Sequence, residues 1–188
     1  MALTPRLRVR EQDLKDKVAV VTGASKGIGR AIAIHLASRG CSVLGTCSSK
    51  ETLHLIDSLA HTVSDLYKGL QKYSNGQAPK IVGVAANLLS ADCADTITKA
   101  LEIHFEGHSD IVVFNAAVVL LAAPGEADIA TVQDMLLANV QTPYLVVDQL
   151  VKRKCSAKIL GLSASPLTWR APRSPGFMQC KTLTSQSQ

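Results

Sequence analysis

The sequence predicts an α/β fold: a doubly wound parallel sheet of about five strands with helices on both faces. Three observations carry this. Short apolar runs alternate with stretches of helical period along most of the 188 residues. The connections are short, and each helical stretch is long enough to return the chain to the start of a parallel neighbour. Hydrophobic residues make up 47% of the chain but aromatics only 4%, and a supply of small branched aliphatics is what a sheet buried on both faces requires.

Lys17–Val21, "KVAVV", reads as a buried strand. A glycine turn follows, then a helix in which Ile28, Ile32 and Leu36 recur every four residues until Gly40 ends it. Ser42–Thr46 is a second strand, and Thr52–Lys72 a helix with Leu53, Ile56, Leu59, Ala60, Val63 and Leu66 on one face. Ser74–Pro79, "SNGQAP", is a loop. Lys80–Ala86 is the third strand, Asp92–Glu106 a helix backed by Gly107, and Asp110–Asn115 the fourth strand. Asp128–Val140 and Thr142–Val151 are two helical stretches, and Lys158–Leu162 is the fifth strand. Beyond Ser163 the pattern stops: Pro166, Pro172 and Pro175 exclude a continuous helix or central strand there. The expected organisation is an N-terminal arm (1–15), a nucleotide-binding domain (16–163) and an irregular tail (164–188), so that the sheet is truncated after the fifth strand.

The segment Thr22-Gly23-Ala24-Ser25-Lys26-Gly27-Ile28-Gly29 lies between a strand and a helix. Glycines allow the tight turn and let backbone amides approach a pyrophosphate, which then sits at the positive end of the helix. With the βαβ pattern around it, this turn points to a nucleotide site on a Rossmann-type sheet.

The T-G-x-x-x-G-x-G spacing resembles that of the short-chain dehydrogenase/reductase family. Further features match in the same order. Asn115-Ala116-Ala117 at the end of the fourth strand resembles the family's N-N-A-G, with Phe114 for the first Asn and Ala117 for the Gly. Asn139 matches the helix asparagine that holds a water in the family's proton relay, and Asn87-Leu88 matches the pair that contacts adenine. The resemblance spans about Asp16 to Ser163. It implies a nicotinamide cofactor bound by Gly23, Ser25, Lys26, Gly27, Ile28, Gly29, Asn87, Leu88, Asn115 and Ala116, and a carbonyl or alcohol substrate.

NAD sites usually place an acidic residue at the end of the second strand to accept from the ribose hydroxyls. Here that end reads Cys47-Ser48-Ser49-Lys50, and Lys26 adds a cation in the glycine turn. Ser48, Lys50 and Lys26 therefore favour NADP(H), with solvated surface lysines as the alternative.

In the family a tyrosine supplies the proton, a lysine four residues on lowers its pKa, and a serine orients the substrate oxygen. A phenol near its ordinary pKa of about 10 is a sluggish base at neutral pH without such a cation. Aligned on "KILGLSAS", the serine position reads Ala164; Phe177 lies at the spacing of the tyrosine and Lys181 four residues beyond. The frame keeps Asn139 and Lys181 and loses both hydroxyls. Chance spacing in a mixed tail is the competing explanation, and the abrupt composition is also what a shifted reading frame produces. The expectation is an NADP(H)-dependent oxidoreductase by lineage with impaired hydride transfer. Alternatives are a non-catalytic NADP-binding helper of an intact relative, or a non-redox isomerase or cyclase.

Other classes are disfavoured. The net charge of +5 comes from scattered basic residues with no aromatic interleaving, which does not suit nucleic-acid binding. The five cysteines contain no C-x-x-C pair, which fits reduced thiols in a cytoplasmic protein rather than a zinc or disulfide framework. His104 and His108 flank Gly107 and lack H-E-x-x-H order, so no metal is expected. No signal-peptide h-region opens the chain, and Ile111–Ala123 is too short to span a bilayer. The helices of Asp128–Val151 are candidates for a homo-oligomer interface, unless their apolar residues all face the sheet.

Overall fold

The computed structural model describes residues 11–68, 77–119, 128–153 and 158–161. Five strands, β1 (Val18–Val21), β2 (Ser42–Cys47), β3 (Ile81–Ala85), β4 (Ile111–Phe114) and β5 (Lys158–Gly161), form one parallel sheet in the order β3-β2-β1-β4-β5. The helices are α1 (Gly27–Ser38), α2 (Leu53–Lys68) entered by a 3-10 turn at Lys50–Thr52, α3 (Cys93–Phe105), α4 (Ile129–Leu136) and α5 (Thr142–Lys152). The doubly wound fold expected from the sequence is the one observed. The strand order reverses at β1, so a crevice opens beyond the carboxyl ends of β1 and β4.

Register shows why both faces are apolar. Val20 lies opposite Leu44 on one side and Val112 on the other. All three belong to the core under α3 and α5, with Ile97, Leu101, Val146 and Leu150. One residue further along, Val21 and Val113 point the other way and pack with Val43, Leu59, Val63 and Tyr67 under α1 and α2. Period-two alternation inside an unbroken apolar run serves two cores at once. Gly45 and Gly83 are register partners, and a Cβ on Gly83 would stand 3.2 Å from Ile56, so the paired glycines leave a notch for that side chain.

Three details depart from the sequence reading. On α1 the face set against the sheet is Gly29, Ala33 and Ala37, whereas Ile28 is 70% exposed. Small residues bring the helix close to the sheet, and Ile32 and Leu36 flank the contact half-buried. The two helices read across Asp128–Val151 are one rod, in which a π-helical turn at Leu137–Gln141 joins α4 to α5 and the Thr142 N–H donates five residues back to the Leu137 carbonyl. A single inserted residue of this kind leaves no periodic trace. In α2, Tyr67 completes the buried face; its hydroxyl meets the Ala37 carbonyl at 2.8 Å and Gln12 Oε1 at 2.9 Å, tying the start of the described chain to the domain.

At the opposite end of the sheet from the crevice, Asp110 joins β4 to β1. Its carboxylate accepts from the Val18 N–H at 2.9 Å and Lys17 Nζ at 3.0 Å, and pairs with His108 Nε2 at 3.0 Å. The His108 ring is thus hydrogen-bonded to a carboxylate, the His104 carbonyl accepts from Lys80, and no cluster of metal-ligating side chains occurs among the described residues. Among those residues no helix is long and apolar enough to cross a membrane.

Candidate functional site

Because every strand runs the same way, the ends of β1, β2, β3 and β4 share one edge of the sheet. That edge gathers Gly23–Gly29, Ser48, Lys50, Asn87, Leu88, Asn115 and Ala116, residues far apart in sequence. Ala164, Phe177 and Lys181 lie outside the described residues, as does residue 163.

The glycine turn is woven between two strands. The Thr22 N–H donates to the Val113 carbonyl at 3.0 Å, the Gly23 N–H to Thr46 Oγ1 at 3.3 Å, and the Ala24 N–H to the Thr46 carbonyl at 2.9 Å. In return the Thr22 hydroxyl accepts the N–H groups of Asn115 and Ala116, each at 3.0 Å, and Asn115 Nδ2 donates to the Thr22 carbonyl at 3.0 Å. Thr22, 1% exposed, and Thr46, 2% exposed, fix the turn; sequence reasoning did not single them out. Their signal was a hydroxyl residue at a buried strand end, where a polar group needs a partner.

Gly23 and Gly27 adopt φ of 68° and 59°, the left-handed region that glycine enters without Cβ cost. A Cβ on Gly29 would stand 2.2 Å from the Gly23 carbonyl oxygen, so helix and turn pack backbone to backbone. At Gly27, by contrast, nothing lies within 4 Å of the Cβ position. Lys26 caps α1 without a side-chain hydrogen bond, and no acidic residue occupies the first turn. The positive helix end is therefore uncapped and faces open space, an arrangement that fits a pyrophosphate.

Around it, Lys26, Ser48 and Lys50 are exposed. Glu51 is exposed too; the Ser49 hydroxyl, with its own backbone amide, holds its carboxyl below the usual range, so it is ionised at neutral pH. Asn87 Oδ1 accepts from the Leu89 N–H at 3.1 Å, which shapes the loop after β3. Leu88 packs on the core, and its carbonyl accepts from the Thr142 hydroxyl at 2.8 Å.

Asn139 sits in the π-helical turn, and its side chain is fully engaged. Oδ1 accepts the Val118 N–H at 2.9 Å and Nδ2 donates to the Val118 carbonyl at 2.7 Å. It clamps the segment after β4.

The profile of the short chain dehydrogenase family matches residues 17–160. The chain belongs to the short-chain dehydrogenase family. It is 41% identical over 106 residues to the 3-oxoacyl-(acyl-carrier-protein) reductase of Vibrio cholerae, a match covering 56% of this chain and 36% of that protein. It is 33% identical over 115 residues to an NADPH-dependent aldehyde reductase-like protein of Arabidopsis thaliana, covering 61% of this chain and 41% of the relative. A short-chain dehydrogenase/reductase from Serratia marcescens superimposes with a TM-score of 0.65 at 27% identity, over 81% of this chain and 57% of that one. The match with these curated relatives thus spans 36% and 41% of their length. The family is one of oxidoreductases that use a nicotinamide cofactor.

Proposed function

We propose that this chain binds NADP(H) at the glycine turn and descends from oxidoreductases that reduce ketones or oxidise alcohols, with hydride transfer impaired at the Ala164 and Phe177 positions. The end of β2 is the observation that carries the cofactor choice. There Ser48 and Lys50 stand exposed after the strand that borders the turn holding Lys26; Ser48 and Ser49, running directly from the strand, are not acidic, and the first carboxylate, the exposed Glu51, comes only after Lys50. Two ammonium groups and a hydroxyl suit a ribose 2′-phosphate. The Arabidopsis relative is named for NADPH dependence, which supports the same assignment.

When bound, the nicotinamide would supply or accept the hydride. Gly27 and the first turn of α1 would receive the pyrophosphate, Asn87 and Leu88 would border the adenine, and Asn115 with Ala116 would close the crevice between β1 and β4. In the sequence frame Lys181 keeps the position of the family's lysine, four residues beyond Phe177. Phe177 has no proton to give and Ala164 no hydroxyl to orient a carbonyl, so the proton half of the reaction lacks its donor. Cys41, Cys47 and Cys93 are free and buried, which suits a reducing compartment, and we assign the chain to the cytoplasm.

The test is NADPH oxidation by the chain over a panel of ketones and aldehydes, beside the double variant Ala164→Ser/Phe177→Tyr. The reading expects no turnover by the chain and measurable turnover by the variant. Turnover by the unmodified chain at rates typical of enzymes, about 1 s⁻¹ or more, contradicts impairment.

A second reading concerns partners. Ile129, Val132, Leu136, Tyr144 and Val151 along the α4–α5 rod are 44–77% exposed, a row of apolar side chains that favours pairing with a second copy or an intact relative. Sedimentation as a monomer at micromolar concentration speaks against self-pairing.

A further inference from the structure

We propose that Thr46 is a positioning residue for the glycine turn, whose hydroxyl sets the direction in which the first amides of α1 face the cofactor. The cofactor part of this proposal rests on the NADP(H) reading. The positioning itself does not.

Three successive amides of the turn are shared between the two neighbouring strands: Thr22 to β4, Gly23 and Ala24 to Thr46 of β2. Thr46 thus offers both its oxygens to adjacent N–H groups, the hydroxyl at 3.3 Å and the carbonyl at 2.9 Å. The backbone contact alone would survive any substitution; without the hydroxyl, Gly23, whose φ of 68° lies in the permissive region, keeps only the long contact of its carbonyl with Asn115 Nδ2 at 3.4 Å. Gly23 is also the residue whose carbonyl lies where a Gly29 Cβ would be, 2.2 Å away, so rotation at Gly23 moves the contact on which the first turn of α1 rests. The neighbouring positions leave no slack: a Cβ on Gly45 would stand 2.9 Å from the Ala24 Cβ. Thr46 itself is 2% exposed, so water does not readily replace its hydroxyl. No ligand need touch Thr46 for it to matter.

The experiment compares Thr46→Val, which keeps the branched shape and removes the hydroxyl, with Thr46→Ser, which keeps the hydroxyl. NADPH affinity is read by fluorescence titration, and exchange of the Gly23 amide by NMR without cofactor. Thr46→Val should weaken NADPH about fivefold to tenfold, the factor that one hydrogen bond gives, and speed Gly23 exchange by a similar factor. Thr46→Ser should lie within about twofold of the natural chain in both readouts, a rescue that a purely space-filling role would not produce. Unchanged Gly23 exchange in Thr46→Val, or Thr46→Ser as impaired as Thr46→Val, overturns the proposal. Should the natural chain not bind NADPH at all, the cofactor reading falls and the exchange comparison alone decides the role of Thr46. If Thr46→Val does not fold, Thr46→Ala against Thr46→Ser supplies the same comparison.

Discussion

Substituting Gly29 by alanine sets two effects against each other, and the structure decides between them. In a helix interior alanine is favoured over glycine by about 1 kcal/mol, so on propensity alone the variant gains stability. The new Cβ, however, would stand 2.2 Å from the Gly23 carbonyl oxygen and 2.5 Å from Asn115 Nδ2. The amide of Asn115 can yield only by giving up its bond to the Thr22 carbonyl, and the Gly23 carbonyl cannot move aside, because Gly23 is held by Thr46 and by the strand before it. The gap must open by about 1 Å to reach ordinary contact. Overpacking of this kind costs about 1–3 kcal/mol, and a backbone obstacle places it in the upper part of that range. The net is a loss of about 1–2 kcal/mol, read as a drop of roughly 2–8 °C in Tm for a domain of this size. The same displacement spreads the pyrophosphate cradle, so NADPH affinity should fall at least about tenfold, the equivalent of 1.4 kcal/mol. Thermal unfolding with and without NADPH measures both. A Gly29→Ala variant as stable as the natural chain, with unchanged affinity, refutes the backbone-to-backbone packing argument.

Three further outcomes follow from the same contacts. Asp110→Asn should cost about 1.5–3 kcal/mol at pH 7 by removing charge-assisted bonds to Val18 and Lys17. Burial alone pushes the Asp110 carboxyl up, but the Val18 N–H, Lys17 and His108 together hold it below its ordinary value. Its contribution is therefore complete above about pH 4 and is lost as pH falls through the folded pKa, a loss that denaturant midpoints should show in the natural chain and not in Asp110→Asn. Asn139→Ala should cost about 1–3 kcal/mol by leaving both Val118 backbone groups unpaired, and Asn139→Asp should not rescue it, because a carboxylate cannot donate to the Val118 carbonyl. Burial pushes the Cys41 thiol up to about 12 and Cys93 up to about 11. Peptide mapping after treatment with a thiol reagent at pH 8 should find both unlabelled in the folded protein and labelled in denaturant.

The elements legible in the sequence were those whose pattern reports burial directly. The strands β1, β2 and β4 are short, mostly buried runs of apolar and small residues, and their edges moved by a residue or two at most. The glycine turn was legible because its chemistry is local: φ above zero and an open helix end require glycine in the chain itself. What escaped reading depended on partners distant in sequence. Ile28 looks like the start of a buried stripe, yet the tight seat of α1 is made by Gly29, Ala33 and Ala37, which carry little hydropathy signal. Thr22 and Thr46 are ordinary β-formers until their hydroxyls are seen gripping amides of Asn115, Ala116 and Gly23. The role of Asn139 as a clamp on Val118 needed the π-helical turn, which shifts the helix by one residue without changing its composition.

The proposed NADP(H) site joins the turn at Gly23–Gly29 to Lys26, Ser48 and Lys50, and it requires preference for a phosphorylated dinucleotide. Parallel fluorescence titrations of the chain with NADPH and NADH test it most directly. The account predicts saturable NADPH binding at least about tenfold tighter than NADH, a preference equal to 1.4 kcal/mol, which shrinks when Lys26 and Lys50 are replaced by alanine. Equal or tighter binding of NADH, or no binding of either cofactor at millimolar concentration, contradicts it.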